Sequence, residues 1–472
     1  MFKKALMILS GNAAGSALLF ARNLLVSWLV SPEDYGIAST FAMAMSIIEL
    51  LSYVGLQQMI VVEPDGDEDE VQAAMQGFQV LRGVISAGLQ FAIAAPFAEF
   101  MGIGQAAWAF EVLALAPLIS CFQHFDTHRL RRHMIFGPSI LASAVPALVA
   151  LLVIWPIAYL FSDYRIMLVS ILVQTVVMVI VSHLTARRPY RMTLDRDLMR
   201  RAIRFGWPIL ANSILLFAVF NGERIIIGRE LGMVEFALFS MAMTLTQTPM
   251  LVVASSLQSF ALAKLGTVRG DDAAFERIGV ATMEISIATG VLMAVGTALL
   301  GGPIVAAITD AEYEPMLDLL VPLVILHGIH SAANGTSIVG LGRSHAGIGL
   351  AISIFRVLFL PLSWWVAVRT GDVLSIISIA TVSELLGLGL GLYLLKARVG
   401  MPLRRLVWPF VLSGATLFAC WLDATLHPLQ PKLLAQMHPT LVPLILLGAA
   451  AILSMTALRS LVRRLSPDSG RA

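Results

Sequence analysis

The sequence predicts an all-α polytopic membrane protein with about 14 transmembrane helices, arranged as two pseudo-symmetric six-helix lobes plus a C-terminal helix pair. Three observations predict this fold: apolar segments of membrane length, a one-sided distribution of basic residues, and a weak internal repeat. Of the 472 residues, 58% are hydrophobic and only 13% are charged. An average soluble domain has about 25% charged residues, so this composition argues against a soluble fold.

The apolar segments are each long enough to cross a hydrocarbon core of about 30 Å, because a helix rises about 1.5 Å per residue. The first one continues past the length of a signal peptide and leads directly into the second, so we interpret it as a transmembrane helix. The fourteen predicted segments are 5–31, 37–62, 75–98, 106–123, 137–160, 164–186, 205–228, 234–260, 277–302, 316–340, 346–368, 373–395, 406–426 and 439–458.

The basic residues give the orientation of these segments. With the N-terminus in the cytoplasm, 24 of the 32 basic residues fall on the cytoplasmic side and four on the opposite side. This asymmetry is what the positive-inside rule requires, and a wrong number of segments would have destroyed it. The sequence therefore predicts a multi-pass protein with both termini in the cytoplasm. The remaining four basic residues, Arg22, Arg82, Arg224 and Arg356, fall inside apolar segments.

An internal repeat relates the first six helices to the next six, at an offset of about 200 residues. Residues Phe41-Ala-Met-Ala-Met45, for example, are similar to Phe239-Ser-Met-Ala-Met243. Parallel repeats of this kind are typical of secondary transporters, whose substrate site lies between the two halves. The predicted division is an N-terminal lobe at 1–186, a basic cytoplasmic linker at 187–204, a C-terminal lobe at 205–396, and an extra helix pair with a cytoplasmic tail at 397–472.

Several short motifs then carry a resemblance to a known family. They are Leu29-Val-Ser-Pro-Glu-Asp-Tyr-Gly36, Arg131-Arg-His-Met-Ile-Phe136, Phe205-Gly-Trp-Pro208, Asn221-Gly-Glu-Arg-Ile-Ile-Ile-Gly228 and Gly340-Leu-Gly-Arg343. In this order and spacing, the chain resembles over nearly its whole length the oligosaccharide (O-antigen and exopolysaccharide repeat-unit) flippases of the multidrug/oligosaccharidyl-lipid/polysaccharide superfamily. One departure is Glu223, where the family pattern has an aspartate.

The resemblance implies transport, not bond chemistry, so we expect no enzymatic activity. It implies that the protein moves a polyprenyl-pyrophosphate-linked oligosaccharide across the bacterial inner membrane, by alternating access, for lipopolysaccharide or exopolysaccharide biosynthesis. The implied partners are this lipid-linked oligosaccharide and membrane lipids, with polysaccharide polymerase and chain-length machinery as further candidates, and no nucleic acid. A lipid II flippase or a small-molecule cation antiporter of the same fold remains an alternative. An integral-membrane enzyme would need a large loop or a catalytic motif that the sequence lacks.

The intramembrane arginines and nearby asparagines are the predicted substrate-binding residues. A charged side chain at bilayer depth costs about 2.5–3.5 kcal/mol, so each arginine must face a partner or a water-filled cavity. Arginine also suits a pyrophosphate, because its planar fork offers paired donors and stays charged. The alternative is that acidic residues in the same segments neutralise the arginines in static pairs. The predicted set is Arg22, Arg82, Arg224, Arg356, Asn12, Asn23 and Asn221.

Buried carboxylates are the predicted ion-coupling residues. The sequence contains no Walker A motif that would indicate nucleotide-driven transport, and a carboxylate in the membrane could exchange a proton during the transport cycle. The candidates are Glu49, Glu284 and Glu384, with a static structural role as the alternative.

No cofactor and no metal are predicted. Cys121 and Cys420 lie in separate predicted spans and lack the spacing of metal ligands. His327 and His330 are three residues apart on one predicted helix, and we interpret them as polar packing because no third ligand accompanies them.

Overall fold

The computed structural model describes residues 2–52, 56–62, 65–345, 347–427 and 441–456. These residues form nineteen α-helices and no strand, so the predicted all-α fold is confirmed. The helices are α1 Phe2–Leu29, α2 Pro32–Ser52, α3 Leu56–Val62, α4 Asp69–Phe100, α5 Ala107–Leu113, α6 Leu115–Ser120, α7 Asp126–Arg132, α8 Gly137–Leu152, α9 Ile154–Ala158, α10 Arg165–Leu184, α11 Arg196–Glu230, α12 Met233–Thr267, α13 Asp272–Ile308, α14 Leu317–Gly342, α15 Gly347–Val357, α16 Leu360–Thr370, α17 Val373–Leu394, α18 Val407–Leu426 and α19 Leu441–Leu453.

Every predicted apolar segment contains helical residues. Within the described ranges, nine helical stretches are long and apolar enough to cross a membrane, and three shorter apolar helices accompany them. The chain is therefore a multi-pass membrane protein, while the count of fourteen crossings stays a prediction. Some predicted segments are divided by proline: α16, for instance, has Pro361 in its first turn, where the missing N–H of proline is tolerated.

The described helices form two compact units, Met1–Ala237 and Leu238–Ala472. In the first unit, α1 and α10 pack on α8, and α11 packs on α2 and α4. In the second unit, α13 packs along α14, α14 packs on α17, and α18 and α19 pack together on α13. The boundary of these units lies after the predicted linker at 187–204, and the predicted division into lobes stays a prediction.

An acidic loop ties three segments of the first unit together. We call this set of contacts the clasp: it joins the loop at 65–69 to α7 and to the basic linker. The linker also follows α4 closely, because the Thr193 amide donates to the Ala73 carbonyl (3.0 Å). The ion pairs of the clasp are Arg129–Asp67 (2.8 Å), Arg188–Asp69 (3.0 Å) and Arg201–Asp65 (2.8 Å). Three segments predicted to be cytoplasmic thus lie at one end of this unit.

Asp67 is the centre of the clasp. Hydrogen bonds from His133 and Arg129 lower the pKa of the Asp67 carboxyl from 3.8 to about 2. Because the folded pKa lies below the ordinary value, this carboxylate stabilises the clasp above pH 3.8, and the contribution is lost as the pH falls toward 2. Asp67 is partly exposed, so solvent screening keeps this contribution small.

The segments predicted on the opposite side also lie together in the first unit. Arg229 lies over the Phe100 ring, 5.5 Å from its centroid. At Gly36 a Cβ atom would lie 2.2 Å from the Met233 carbonyl oxygen, so the first part of α2 approaches the start of α12 at backbone distance. The contacts at both ends of the unit agree with the alternation of loops that the basic residues predict.

The second unit has the same arrangement at its predicted cytoplasmic end. Arg343 pairs with Asp272, and the Arg269 side chain donates to the Gly342 carbonyl (3.1 Å). The loops between α12 and α13 and after α14 are therefore in direct contact. Both were assigned to the cytoplasmic side from their basic residues.

Two glycines of α13 provide a matched test of helix packing in the second unit. At Gly290 a Cβ would lie 2.8 Å from the Gly328 Cα of α14, whereas at Gly296 it would meet nothing within 4 Å. We expect Gly296→Ala to stabilise the protein by up to about 1 kcal/mol through helix propensity. We expect Gly290→Ala to destabilise it by about 1–3 kcal/mol, because the two helices must separate. Unfolding of both variants in detergent measures this, and equal shifts would contradict the close approach.

Candidate functional site

Arg22 is held in the first unit by neutral side chains. It lies on α1, is 8% exposed, and donates from Nη1 to the Gln174 Oε1 of α10 (2.7 Å). Its Nη2 donates to the Oδ1 of Asn23 (3.3 Å). Both acceptors are amide oxygens, so these hydrogen bonds orient the guanidinium without neutralising its charge.

Tyr35 connects Arg22 to a second predicted arginine. Its hydroxyl hydrogen-bonds Ser39 and interacts electrostatically with both Arg22 of α1 and Arg224 of α11. Tyr35 is only 2% exposed, so this meeting point is buried. The structure thus brings together two of the predicted substrate-binding arginines, and we call Arg22, Arg224 and Tyr35 the Tyr35 site.

The Tyr35 site has the charge and the donors for an anion. Across the described residues, neither Arg22 nor Arg224 forms an ion pair with a carboxylate, and the Nε of each is buried without a hydrogen-bond acceptor. A guanidinium has five N–H donors in a fixed fork. Two such groups that interact with one buried tyrosine favour a ligand with several anionic oxygens.

Sequence reasoning missed the two neutral residues that organise this site. Tyr35 lies inside the motif that carries the family resemblance, but its role was not predicted. Gln174 is the one side-chain amide in a mostly apolar helix, and this is the signal that could have identified it. Neutral polar residues cost less in a membrane than charged ones, so they are harder to single out.

The predicted asparagines differ in what the structure says of them. Asn23 accepts from Arg22 and belongs beside the Tyr35 site. Asn221 lies on α11 and donates to the Phe217 carbonyl one turn earlier (3.4 Å), so this contact is local. The side chain of Asn12 lies outside the described residues.

Arg356 has a carboxylate partner. Its Nε lies 2.5 Å from Oε2 of Glu384, and the other oxygen of this carboxylate lies 2.9 Å from Nδ1 of His330. Glu384 is 1% exposed. We call these three residues the Glu384 cluster, which joins α14, α15 and α17. Arg356 is therefore paired with an acidic residue, which was the alternative to ligand binding in the sequence analysis. Ligand binding by Arg356 stays a prediction.

The other predicted carboxylates have different surroundings. Glu284 is fully buried on α13 and accepts hydrogen bonds from the backbone N–H (2.9 Å) and the hydroxyl (2.8 Å) of Thr456. This contact fixes the chain after α19 against α13. The side chain of Glu49 lies outside the described residues, so its role stays a prediction.

Each unit also contains a cavity. In the first unit, a polar cavity of about 230 Å³ is lined by Arg82 together with Gln79 and Ser86. In the second unit, an apolar cavity of about 360 Å³ is lined by side chains such as Phe410 and Trp421. Among the described side chains, no group of three or more metal-ligating residues is present.

The fold is that of transporters of the MOP superfamily. The protein is similar to the lipid II flippase MurJ in an inward closed conformation, with a TM-score of 0.71 and 13% identity over 97% of this chain and 100% of that chain. It is also similar to an inward-facing multidrug resistance MATE family transporter, with a TM-score of 0.67 and 17% identity over 82% of this chain and 94% of that chain.

The chain belongs to the polysaccharide biosynthesis protein family, whose model matches residues 25–318. It is 22% identical over 362 residues to the succinoglycan biosynthesis transport protein ExoT of Rhizobium meliloti (strain 1021), covering 75% of this chain and 68% of that protein. The protein is therefore a helical membrane transporter of polysaccharide biosynthesis, and the resemblance described from its motifs is confirmed.

The Glu384 cluster generates a stability prediction. Glu384→Gln removes the carboxylate that faces Arg356, and breaking a buried pair in this way costs about 3–5 kcal/mol. The matched control is Arg405→Gln, which removes an exposed pair with Glu276 (3.2 Å) and costs less than about 1 kcal/mol. Unfolding midpoints in detergent measure the difference. A small loss for both variants would mean that water, not Arg356, solvates Glu384.

Proposed function

We propose that the protein flips a polyprenyl-pyrophosphate-linked oligosaccharide repeat unit from the cytoplasmic to the outer leaflet of the bacterial inner membrane. The Tyr35 site is the observation that carries this proposal. Two guanidinium groups, the buried one of Arg22 on α1 and the half-buried one of Arg224 on α11, interact with one tyrosine, and neither forms an ion pair with a carboxylate among the described residues. A pyrophosphate supplies the negative charge and the multiple oxygen acceptors that such a site needs.

The energetics favour a ligand that carries its charge into the membrane. Each arginine at bilayer depth costs about 2.5–3.5 kcal/mol on insertion scales, and this cost is not offset by a described carboxylate. An anionic ligand offsets it during transport, and water does so when the site is open. Membership of the polysaccharide biosynthesis protein family supports an oligosaccharide as the group attached to this anion.

The lipid part of the cargo needs an apolar surface. The second unit offers one in its cavity of about 360 Å³, whose wall is built from α13, α14, α17 and α18. Polyprenyl chains are apolar, so they can contact such a surface without burying a polar group. We include this cavity in the proposal as a contact for the lipid, within its own unit.

The orientation of the protein is part of the same proposal. Both termini would lie in the cytoplasm, so that cargo made there binds at the side that carries 24 of the 32 basic residues. The clasp supports this orientation, because it collects three of the basic or acidic loops assigned to that side. Polysaccharide polymerase and chain-length machinery remain the proposed protein partners.

Lipid II is the second candidate cargo. The similarity to the lipid II flippase MurJ extends over 97% of this chain. The geometry of the Tyr35 site does not discriminate between the two cargoes. A cation antiporter is disfavoured, since two buried arginines repel a cationic substrate.

The function is tested by the leaflet location of radiolabelled lipid-linked oligosaccharide in inverted membrane vesicles, with and without the protein. We expect label to reach the lumenal leaflet only with the protein, and expect Arg22→Ala and Arg224→Ala to slow this at least about tenfold through loss of charge-assisted hydrogen bonds. Arg229→Ala is the matched control, because Arg229 is exposed at the end of α11. Lysine at either position should restore part of the rate.

Several results would contradict the proposal. Movement of labelled lipid II without movement of the lipid-linked oligosaccharide would show that lipid II is the cargo. Unchanged flipping by well-folded Arg22→Ala and Arg224→Ala proteins would remove the ligand role of the Tyr35 site. Their unfolding midpoints in detergent establish whether the variants are folded.

We also propose that transport is coupled to protons at the Glu384 cluster. A carboxylate in the membrane could exchange a proton during the transport cycle, and Glu384 is buried with Oε1 at 2.9 Å from Nδ1 of His330. Glu49 and Glu284 remain candidates for the same role. We expect collapse of the proton gradient to slow flipping several-fold in the wild type, and much less in His330→Gln. Unchanged transport after the proton and sodium gradients are both collapsed would rule out coupling.

A further inference from the structure

Arg82 lies in a polar cavity whose lining includes no residue of the Tyr35 site. The cavity measures about 230 Å³ and is formed within the first unit by α2, α3, α4, α6 and α10. Three of its polar residues, Gln79, Arg82 and Ser86, are spaced at i, i+3 and i+7 on α4, so they share one face of this helix. We call this cavity the Arg82 pocket.

One wall of the Arg82 pocket is fixed by hydrogen bonds. Gln79 is 4% exposed, and its Nε2 donates to the backbone carbonyls of Cys121 (3.1 Å) and Gln123 (3.2 Å). The Nε2 of Gln79 is thus used as a donor to the protein, and its Oε1 is the atom of this side chain that can accept a hydrogen bond. Next to it, a Cβ at Gly83 would lie only 2.1 Å from the Cβ of Cys121, so the two chain segments are in direct contact. The pocket is therefore built by packing before any ligand arrives.

A second polar group of the pocket is a buried hydroxyl to which the described protein makes no hydrogen bond. Ser86 is 4% exposed, and its Oγ has no hydrogen-bond partner in the part of the chain that the structure describes. A buried polar group in this state costs about 1–3 kcal/mol. A hydroxyl group on a ligand offsets this cost. Arg82 adds a guanidinium, a planar group with five N–H donors.

The mixture of donors and acceptors decides the chemical class of the ligand. A phosphate only accepts hydrogen bonds, whereas a sugar hydroxyl both donates and accepts, as the pocket does through Ser86 and Gln79. Arg82 adds a preference for a carboxylate. The pocket is smaller than the 300–1,000 Å³ or so of sites for drug-sized ligands. One acidic sugar ring therefore fits its size and chemistry better than a whole repeat unit.

We propose that the Arg82 pocket binds a single acidic sugar unit, a hexuronate, of the cargo. The proposal rests on the proposed function, which brings a lipid-linked oligosaccharide to this protein. Arg82 lies seven residues into the predicted segment 75–98, about 10 Å from its cytoplasmic end. A sugar attached to a lipid headgroup in the inner leaflet reaches this depth, so the pocket selects cargo at the loading side.

The test measures binding of free sugars to the full-length protein in phosphatidylcholine nanodiscs by saturation-transfer NMR. We expect D-glucuronate or D-galacturonate to bind, and D-glucose to bind more weakly. Arg82→Gln should weaken hexuronate binding about tenfold and leave glucose nearly unchanged, and Ser86→Ala should weaken both about threefold. Arg229→Gln is the matched control and should leave hexuronate binding unchanged, because Arg229 is exposed at the end of α11 and does not line the pocket.

Four results would overturn the proposal. They are no binding of either hexuronate, equal hexuronate affinity in Arg82→Gln, displacement of hexuronate by an equal concentration of inorganic phosphate, and loss of hexuronate binding in phosphatidylglycerol nanodiscs. The last two would identify a phosphate site and a lipid-headgroup site. Ser86→Ala keeps the test decisive if Arg82→Gln unfolds, because it removes a hydroxyl without a described partner. Hexuronate binding without flipping contradicts only the proposed function, and flipping without hexuronate binding contradicts only this inference.

Discussion

The cost of an ionised side chain away from water is the constraint on which this structure depends. Within the second unit, Glu384 meets this cost for Arg356 at 2.5 Å, and the pair joins two helices. Within the first unit, Arg22 is instead oriented by the amides of Gln174 and Asn23. The first arrangement uses the charge to hold helices together. The second leaves the guanidinium without a carboxylate among the described residues, which is what the proposed anionic ligand requires. The partner of each arginine therefore distinguishes the two better than its depth does.

Much of the fold could be predicted because membrane length and loop charge are local properties of the sequence. The predicted segment 164–186, for example, matches α10 at Arg165–Leu184. Helix interruptions were harder to place, because they depend on backbone geometry at positions such as Pro361. The partner of Arg356 could not be predicted either. Glu384 lies on another helix, and its distance from Arg356 is set by the packing of α15 on α17.

The candidate site was predicted only in part, because the sequence shows charged residues but not the contacts between helices. Charged residues stand out in an apolar segment, so Arg22 and Arg224 were identified, whereas Tyr35 and Gln174 were not. Gln174 lies 152 residues from Arg22 along the chain, and no spacing rule connects them. The Arg82 pocket likewise depends on contacts between α4 and the chain around Cys121, which the sequence of either segment does not contain.

The clasp has a consequence for how the chain is synthesised. The loop at 65–69 leaves the ribosome long before Arg188, which lies 121 residues after Asp67. At about 5–20 residues per second this interval is roughly 6–24 s. Until Arg188 has been synthesised, the loop at 65–69 can pair only with earlier parts of the chain, such as Arg129. The clasp is therefore completed only after the linker has emerged, and from then on it ties the loop, α7 and the linker together.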